Sequence, residues 1–266
     1  MAPLVTEAIV LHAFDYLESS RILRLVTREA GVRSVLARGA RNSRKRFGTA
    51  LDLYAQGRAE LHMKTGRDLD TLAGFDVTRA RPHLAADLAR FAGASMIAEL
   101  TLRFVRDDAD SGLFDAVAGA LDALAVAAPE RARDVGLGGA WHVLAELGVA
   151  PAIDFCAECH ADLDPSASAI FSHPAGGALC DRCGHLARSA RTLPPAARDA
   201  LRRWLVGDEY SLSDGTDVRA HQRLLREFVR EHLADDKPMP AFDSWERDVL
   251  GASHRDAPLS STSANA

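Results

Sequence analysis

Cysteine, lysine and aromatic residues are all scarce in this chain. Four cysteines in 266 residues are too few for a disulfide-built scaffold, and aromatics supply only 6 % of the sequence. Lysine occurs three times (Lys45, Lys64, Lys237) among 32 basic residues, a composition that, with the many alanines, reads as genomic bias. No apolar run reaches the roughly eighteen residues of a membrane span, and Asp115 and Asp122 interrupt the best candidate. Met1–Glu7 lacks the basic start and apolar stretch of a signal peptide. A cytoplasmic location, with reduced thiols and no membrane partner, is therefore expected.

The apparatus of catalysis is missing too. There is no Gly-rich phosphate loop closing on Lys-Ser or Lys-Thr, and no Gly-x-Ser-x-Gly elbow. The histidines are scattered, and His142 and His221 fall where helix-surface or packing residues fall. Asp107-Asp108 and Asp235-Asp236 stand at helix ends, where solvated turns are common. These absences argue against an ATPase, a nuclease or a serine hydrolase, and no catalytic residue is predicted.

What is present begins with the cysteines themselves. They stand as Cys156-x2-Cys159 and Cys180-x2-Cys183, with twenty residues between the pairs. Two intervening residues let a tight turn aim both sulfurs at one ion, and two such turns complete a tetrahedron. Phe155, Ala157 and Gly184 flank or fill the knuckles, and His160, His173 and His185 lie close enough to be reserve donors. Four thiolates close the coordination sphere, so the predicted ion is a structural Zn2+ with no position for substrate. Two disulfides, or four unrelated buried thiols, are the alternatives. The module should span residues 154–187, with turns at Pro165 and at Pro174-Ala-Gly-Gly177.

Hydrophobic period divides the rest of the chain. Short strands are expected over Ala8–His12, Ile22–Thr27, Val32–Ala37, Arg58–Lys64 and Leu69–Thr78. In the fourth, Ala59, Leu61 and Met63 share one face; in the fifth, Thr71, Ala73, Phe75 and Val77 do. A five-stranded Greek-key barrel of the OB type fits this length, and a lone meander sheet fits the periodicity equally well. After Pro82 the spacing turns helical. One segment carries Leu84, Leu88, Phe91, Ile97, Leu100 and Phe104. A second, capped by Ser111, carries Leu113, Val117, Leu121 and Leu124, and a third carries Trp141, Leu144 and Leu147 up to Gly148. A helix opened by Pro194-Pro195 holds Leu201, Trp204 and Leu205; a last one holds Leu224, Leu225, Phe228 and Val229. Trp141 and Trp204 are core candidates. The reading is an α+β multidomain chain: a barrel over 1–82, a helical domain over 83–250 with the thiol module inserted, and a disordered tail over 251–266.

The net charge of −5 is unevenly distributed. Residues 1–82 hold 14 Arg or Lys against 9 Asp or Glu, while residues 83–266 hold 18 against 28. Only the first part is thus a candidate phosphate-binding surface. Within it, Arg38, Arg41, Arg44, Lys45 and Arg46 crowd five cations into nine residues between the third and fourth strands. Such a loop can follow a phosphate backbone without reading sequence, and Phe47 or Tyr54 could stack on an unpaired base. A solvated loop with no ligand is the plain alternative. No helix clusters Arg, Asn and Gln as a recognition helix does, which argues against a transcription factor reading base sequence. The remaining rival is a zinc-stabilised protein-interaction adaptor without direct DNA binding.

An ordered succession of short motifs resembles the RecO family of recombination mediators. Thr6-Glu-Ala-Ile-Val-Leu11, Glu18-Ser-Ser20, Thr27-Arg-Glu-Ala-Gly31 and Ala37-Arg-Gly-Ala-Arg41 follow its N-terminal pattern. Leu69-Asp-Thr-Leu72, Glu99-Leu100, Gly176-Gly177 and the two knuckles continue it, so that it covers roughly residues 4–235. The resemblance implies an N-terminal OB fold, a helical C-terminal region and a zinc module. It also implies binding to single- and double-stranded DNA, strand annealing, and, with RecR, loading of recombinase onto DNA coated by single-strand-binding protein. That role would place the protein on the nucleoid. Some members lack the cysteines, whereas this chain has all four.

Overall fold

A computed structural model describes residues 3–40, 47, 51–63, 68–104, 110–187, 190–212, 215–233 and 237–252. Five strands form the N-terminal unit: β1 (Leu4–Tyr16), β2 (Ser20–Thr27), β3 (Gly31–Ala37), β4 (Gln56–His62) and β5 (Asp70–Arg79). They close into a barrel in the order β1-β2-β3-β5-β4, with β3 and β5 parallel and the other neighbours antiparallel. This is an OB-like barrel, and closure excludes the open meander. Alternation fills the interior: Ala8, Val10, Leu23, Leu25, Val35, Ala59 and Leu61 point inward, joined by Phe47 and Leu51.

Two local irregularities change which side chains face where. In β5 the inward residues are Leu72 and Phe75, not the predicted row of Thr71, Ala73, Phe75 and Val77, and Val77 is exposed. A register slip accounts for Leu72 replacing Thr71 and Ala73 inside: Leu61 pairs with Leu72 but Glu60 with Gly74, so Ala73 is an extra residue that reverses the parity. In β1 a similar slip skips Leu11 between Val10 and His12. Ile9 and Leu11 both belong to the helical core rather than the barrel core.

The helical unit comprises α1 (Pro82–Ala85), α2 (Leu88–Phe104), α3 (Ser111–Val126), a 3-10 turn (Pro129–Arg131), α4 (Ala132–Glu146), α5 (Asp181–Gly184), α6 (Pro195–Leu205), α7 (Gly215–Leu233) and α8 (Pro240–Ala252). Trp141, Phe114, Ile97 and Leu121 are fully buried in its core. A Cβ on Gly139 of α4 would stand 2.8 Å from the Ala120 Cβ of α3, so glycine there sets how closely the two helices pack. Leu88, predicted on the apolar face, is exposed, because the chain breaks between α1 and α2 and resets the helical phase. The N-cap of α3 is Asp110 rather than Ser111; its Oδ1 accepts from the N–H groups of Gly112 (2.9 Å) and Leu113 (3.2 Å). The predicted last helix is followed by another, α8, which buries Phe242 and Trp245 and whose Phe242 N–H donates to Glu99 Oε2 (2.9 Å). Gly251 and Ala252 close α8; the remainder of the predicted tail lies outside the described residues, as do Asp107, Asp108, Asp235 and Asp236. Among the described residues no helix is long and apolar enough to cross a membrane.

Barrel and helices share one buried joint. The Arg81 guanidinium donates to Tyr54 O (2.8 Å), Gln56 Oε1 (2.9 Å) and Asp122 Oδ1 (2.7 Å), spanning both units. Tyr54 Oη meets Ser95 Oγ at 2.8 Å. Beside them Arg28 lies over the Phe114 ring at 4.5 Å and pairs with Asp115 at 2.6 Å.

Arg81→Met should cost about 3 kcal/mol of unfolding free energy in a denaturant titration, at the low end for a broken buried pair because Asp122 keeps partial access to water. Arg81→Lys should recover less than half, since an ammonium cannot span three divergent acceptors. A second expectation concerns His221, stacked edge-on against Trp204 at 5.0 Å, whose pKa burial pushes down to about 4. Its neutral form is the folded one. The stability it contributes is complete above the ordinary histidine value near 6.5 and is lost as pH falls through about 4. His173, lowered first by burial, adds in the same direction. His221→Leu should therefore flatten the decline between about pH 6.5 and 4 by on the order of 3 kcal/mol.

Candidate metal centre and nucleic-acid face

The first knuckle is a turn held at both ends. Phe155 bridges to Asp162, the Cys156 N–H donates to Ala161 O (2.7 Å), and the His160 N–H donates to Cys156 O (2.9 Å). His160 closes the turn at a φ of 59°, and the Ala157 N–H donates to Ala178 O (2.8 Å), tying this turn to the second knuckle's strand. That strand, β7 (Gly177–Leu179), pairs with β6 (Ala169–Ser172), which also pairs with β8 (Arg191–Leu193), beyond residue 187. A Cβ on Gly177 would lie 2.2 Å from Ala152 O, so only glycine lets the two backbones meet there. Cys180 ends β7 and begins α5, whose Gly184 N–H donates to Cys180 O (2.8 Å).

These two turns bring all four cysteines together. Their sulfurs lie within 4.8 Å of one another, Cys159 and Cys180 at 3.7 Å, and Cys156 is buried. Among the described residues no histidine joins this group; His173 instead packs against α7, 3.7 Å from Glu227. Burial favours the Cys156 thiol, but backbone N–H groups of Cys159, Cys180 and Glu158 outweigh it and bring the group down to about 6. Cys183, surrounded by Cys180, Cys159 and Cys156, is pushed up to about 12. Four sulfurs this close resist joint ionisation unless a cation offsets their charge. Arg182, its own pKa raised by hydrogen bonds to Cys159 and Cys183, adds a positive charge at the rim. The cluster could hold one metal ion.

The module is anchored on α6. The buried Arg198 guanidinium donates to Ile153 O (3.0 Å), Asp164 O (2.5 Å) and Ala167 O (3.1 Å). One turn on, Arg202 pairs with Asp154 at 2.7 Å.

On the barrel, Arg38 is exposed directly after β3; Arg41, Arg44, Lys45 and Arg46 lie outside the described residues. Phe47 and Tyr54 are not stacking rings. They are 2 % and 4 % exposed, the first in the barrel core and the second at the joint with α2. The exposed aromatics of the barrel are elsewhere, at Phe14 and Tyr16 on the second half of β1, with His12 beside Phe14 at a ring distance of 5.7 Å. Sequence reasoning missed them because it ended this strand at His12, whereas β1 runs on to Tyr16.

Comparison with known proteins agrees across the chain. A family model described as "Recombination protein O N terminal" matches residues 1–81, and one described as "Recombination protein O C terminal" matches residues 85–239. A protein named DNA repair protein RecO from Anaeromyxobacter sp. (strain Fw109-5) is 39 % identical over 234 residues, covering 85 % of this chain and 89 % of the relative. Its namesake in Anaeromyxobacter dehalogenans (strain 2CP-C) is 41 % identical over 192 residues, covering 71 % and 73 %. The one in Rubrobacter xylanophilus is 31 % identical over 247 residues, covering 90 % and 94 %.

Cys180→Ser should abolish stoichiometric metal, measured by elemental analysis against about one ion per chain in the unaltered protein. The melting temperature of the helical unit should fall by on the order of 10 °C, with the barrel still folded by proteolysis.

Proposed function

The chain belongs to the recombination protein O (RecO) family, and from that premise we propose that it is a non-catalytic, DNA-binding mediator of DNA repair and homologous recombination. The carrying observation is the closed five-stranded barrel with an exposed arginine, Arg38, where a run of five cations begins. An OB-like barrel offers nucleic acid a sheet face and its bordering loops. The remainder of the chain, residues 83–266, with 28 acids against 18 bases, supplies no comparable attraction for phosphate. Arg38, Arg41, Arg44, Lys45 and Arg46 are therefore the proposed phosphate contacts, on single or double strands, without base readout.

The proposed ion is Zn2+. Bonds of about 2.3 Å in a tetrahedron require neighbouring sulfurs about 3.8 Å apart. Cys159 and Cys180, at 3.7 Å, already match that edge. With four thiolates the sphere is closed, so the ion stiffens the hairpin of β6 and β7 and activates no water. The protein's contribution is then to hold strands and partners together: it would anneal complementary strands and, with RecR, help load recombinase onto DNA coated by single-strand-binding protein. Such work belongs on the nucleoid in the cytoplasm and needs no nucleotide hydrolysis by this chain.

Replacing Arg41, Arg44 and Arg46 by Ala should flatten the plot of log K against log salt. Each phosphate contact contributes a slope of about −0.9 on duplex and about −0.7 on a single strand, so the change should be roughly two to three units. It should be equal for unrelated sequences, with metal content unaltered. An unchanged slope would move the contacts elsewhere, and no DNA binding at all would favour the adaptor reading. Purified protein should accelerate annealing without ATP; turnover of ATP abolished by a point substitution in the chain would refute the non-catalytic assignment.

A further inference from the structure

The outer face of the sheet formed by β1, β2 and β3 is divided in two. Over its first half, Ile9 and Leu11 of β1 and Val26 of β2 are buried in the helical core. Beyond the slip at Leu11 the same face runs on uncovered. The register sets His12 opposite Arg24 and Phe14 opposite Ile22, which in turn lies opposite Leu36 of β3. Phe14 and Tyr16 are 45 % and 43 % exposed, and His12 is exposed beside them. Nothing in the barrel needs these rings outside, because its interior is filled by other residues.

Three features select an occupant for this face. Alternate residues on a strand stand about 6.8 Å apart, twice the 3.4 Å step between stacked bases, so successive rings can each take one base of an opened strand. A cation ends the stripe: Arg38, exposed directly after β3, while Arg24 in the His12 row is half-buried and donates to Leu102 O of α2 (3.4 Å). The acidic side chain of Asp15, next to the rings, is neutralised by Arg21 at 3.1 Å. His12 and Arg24 also line a cleft of about 820 Å³ between barrel and helices, with Arg103 and Lys237 beside Glu99 on its far side. A backbone leaving the stripe thus meets two cations against one acid, less repulsion than the rest of the helical unit offers.

Building on the DNA-binding reading above, we propose that His12, Phe14 and Tyr16 form a stacking platform for an unpaired strand of nucleic acid. On this platform the rings hold bases while the exposed Arg38 holds a phosphate. A duplex, whose bases are already stacked on one another, gains nothing from the rings. The platform therefore supplies the preference for unpaired DNA, on top of the affinity that phosphate contacts give to both forms.

The test is the double variant Phe14→Ala/Tyr16→Ala, measured by salt-titrated binding to an oligothymidine and to a mixed-sequence duplex of equal length. Both side chains are exposed, so the melt and the metal content should hold. Affinity for the oligothymidine should fall on the order of ten- to a hundred-fold at every salt concentration, with its salt slope unchanged to within about half a unit. Duplex affinity should change less than about three-fold, and Tyr16→Phe alone should bind like the unaltered protein. If the unaltered protein binds oligothymidine and the double variant binds it equally well, the platform is refuted while the DNA-binding reading stands. That result, with loss of a protein partner instead, would make the stripe a protein-docking face. Equal losses on both DNA forms would refute stacking in favour of backbone contact. Failure of the unaltered protein to bind either form would remove both proposals.

Discussion

The buried guanidinium of Arg81 constrains the architecture more than any other single group. Arginine cannot shed its charge, so taking it out of water obliges the fold to supply oxygen acceptors in the plane of its fork. Here two come from the barrel, at Tyr54 and Gln56, and two from α3, at Asp122 and, more distantly, at Ala118 O (3.5 Å). Small rotations of one unit against the other would pull at least one acceptor out of plane. The orientation of barrel and helices is therefore set by a polar constraint laid over an apolar contact. Arg198 repeats the arrangement at the base of the thiol module, where carbonyl oxygens from Ile153, Asp164 and Ala167 converge on it. In a chain with so little lysine, these planar forks do joining work that an ammonium could not.

Much of the fold was legible because period and burial coincide. In β4, Ala59 and Leu61 face inward while Arg58, Glu60 and His62 face water, as simple alternation requires. The reading failed where alternation itself is interrupted. Nothing in the letters of β5 announces that Ala73 is an extra residue; only its pairing with β4 makes it one. The α3 cap was misplaced by one position because Asp110 and Ser111 are both good capping residues, and the choice rests on backbone geometry. Helix α8 escaped because it offers only Phe242 and Trp245 as large apolar anchors among its described side chains, and its burial depends on α2, far away in sequence.

The candidate sites divide along the same line. Cysteine pairs two residues apart are a local signal, and local turns suffice to aim them, so the sulfur cluster could be read from spacing. Exposure is not a local property. Phe47 and Tyr54 stand close to a basic loop in sequence and so invited a surface role, yet both are buried. Phe14 and Tyr16 are the rings that β1 leaves exposed, and an early end to the strand hid them.

The extra residue at Leu11 amounts to a reading-frame change written in space. Upstream of it, odd-numbered residues of β1 point out of the barrel; downstream, even-numbered ones do. Without the bulge, strict alternation from Val10 through Leu11 would turn His12, Phe14 and Tyr16 into the barrel and Ala13 out of it, so one irregular pairing with β2 keeps the rings outside.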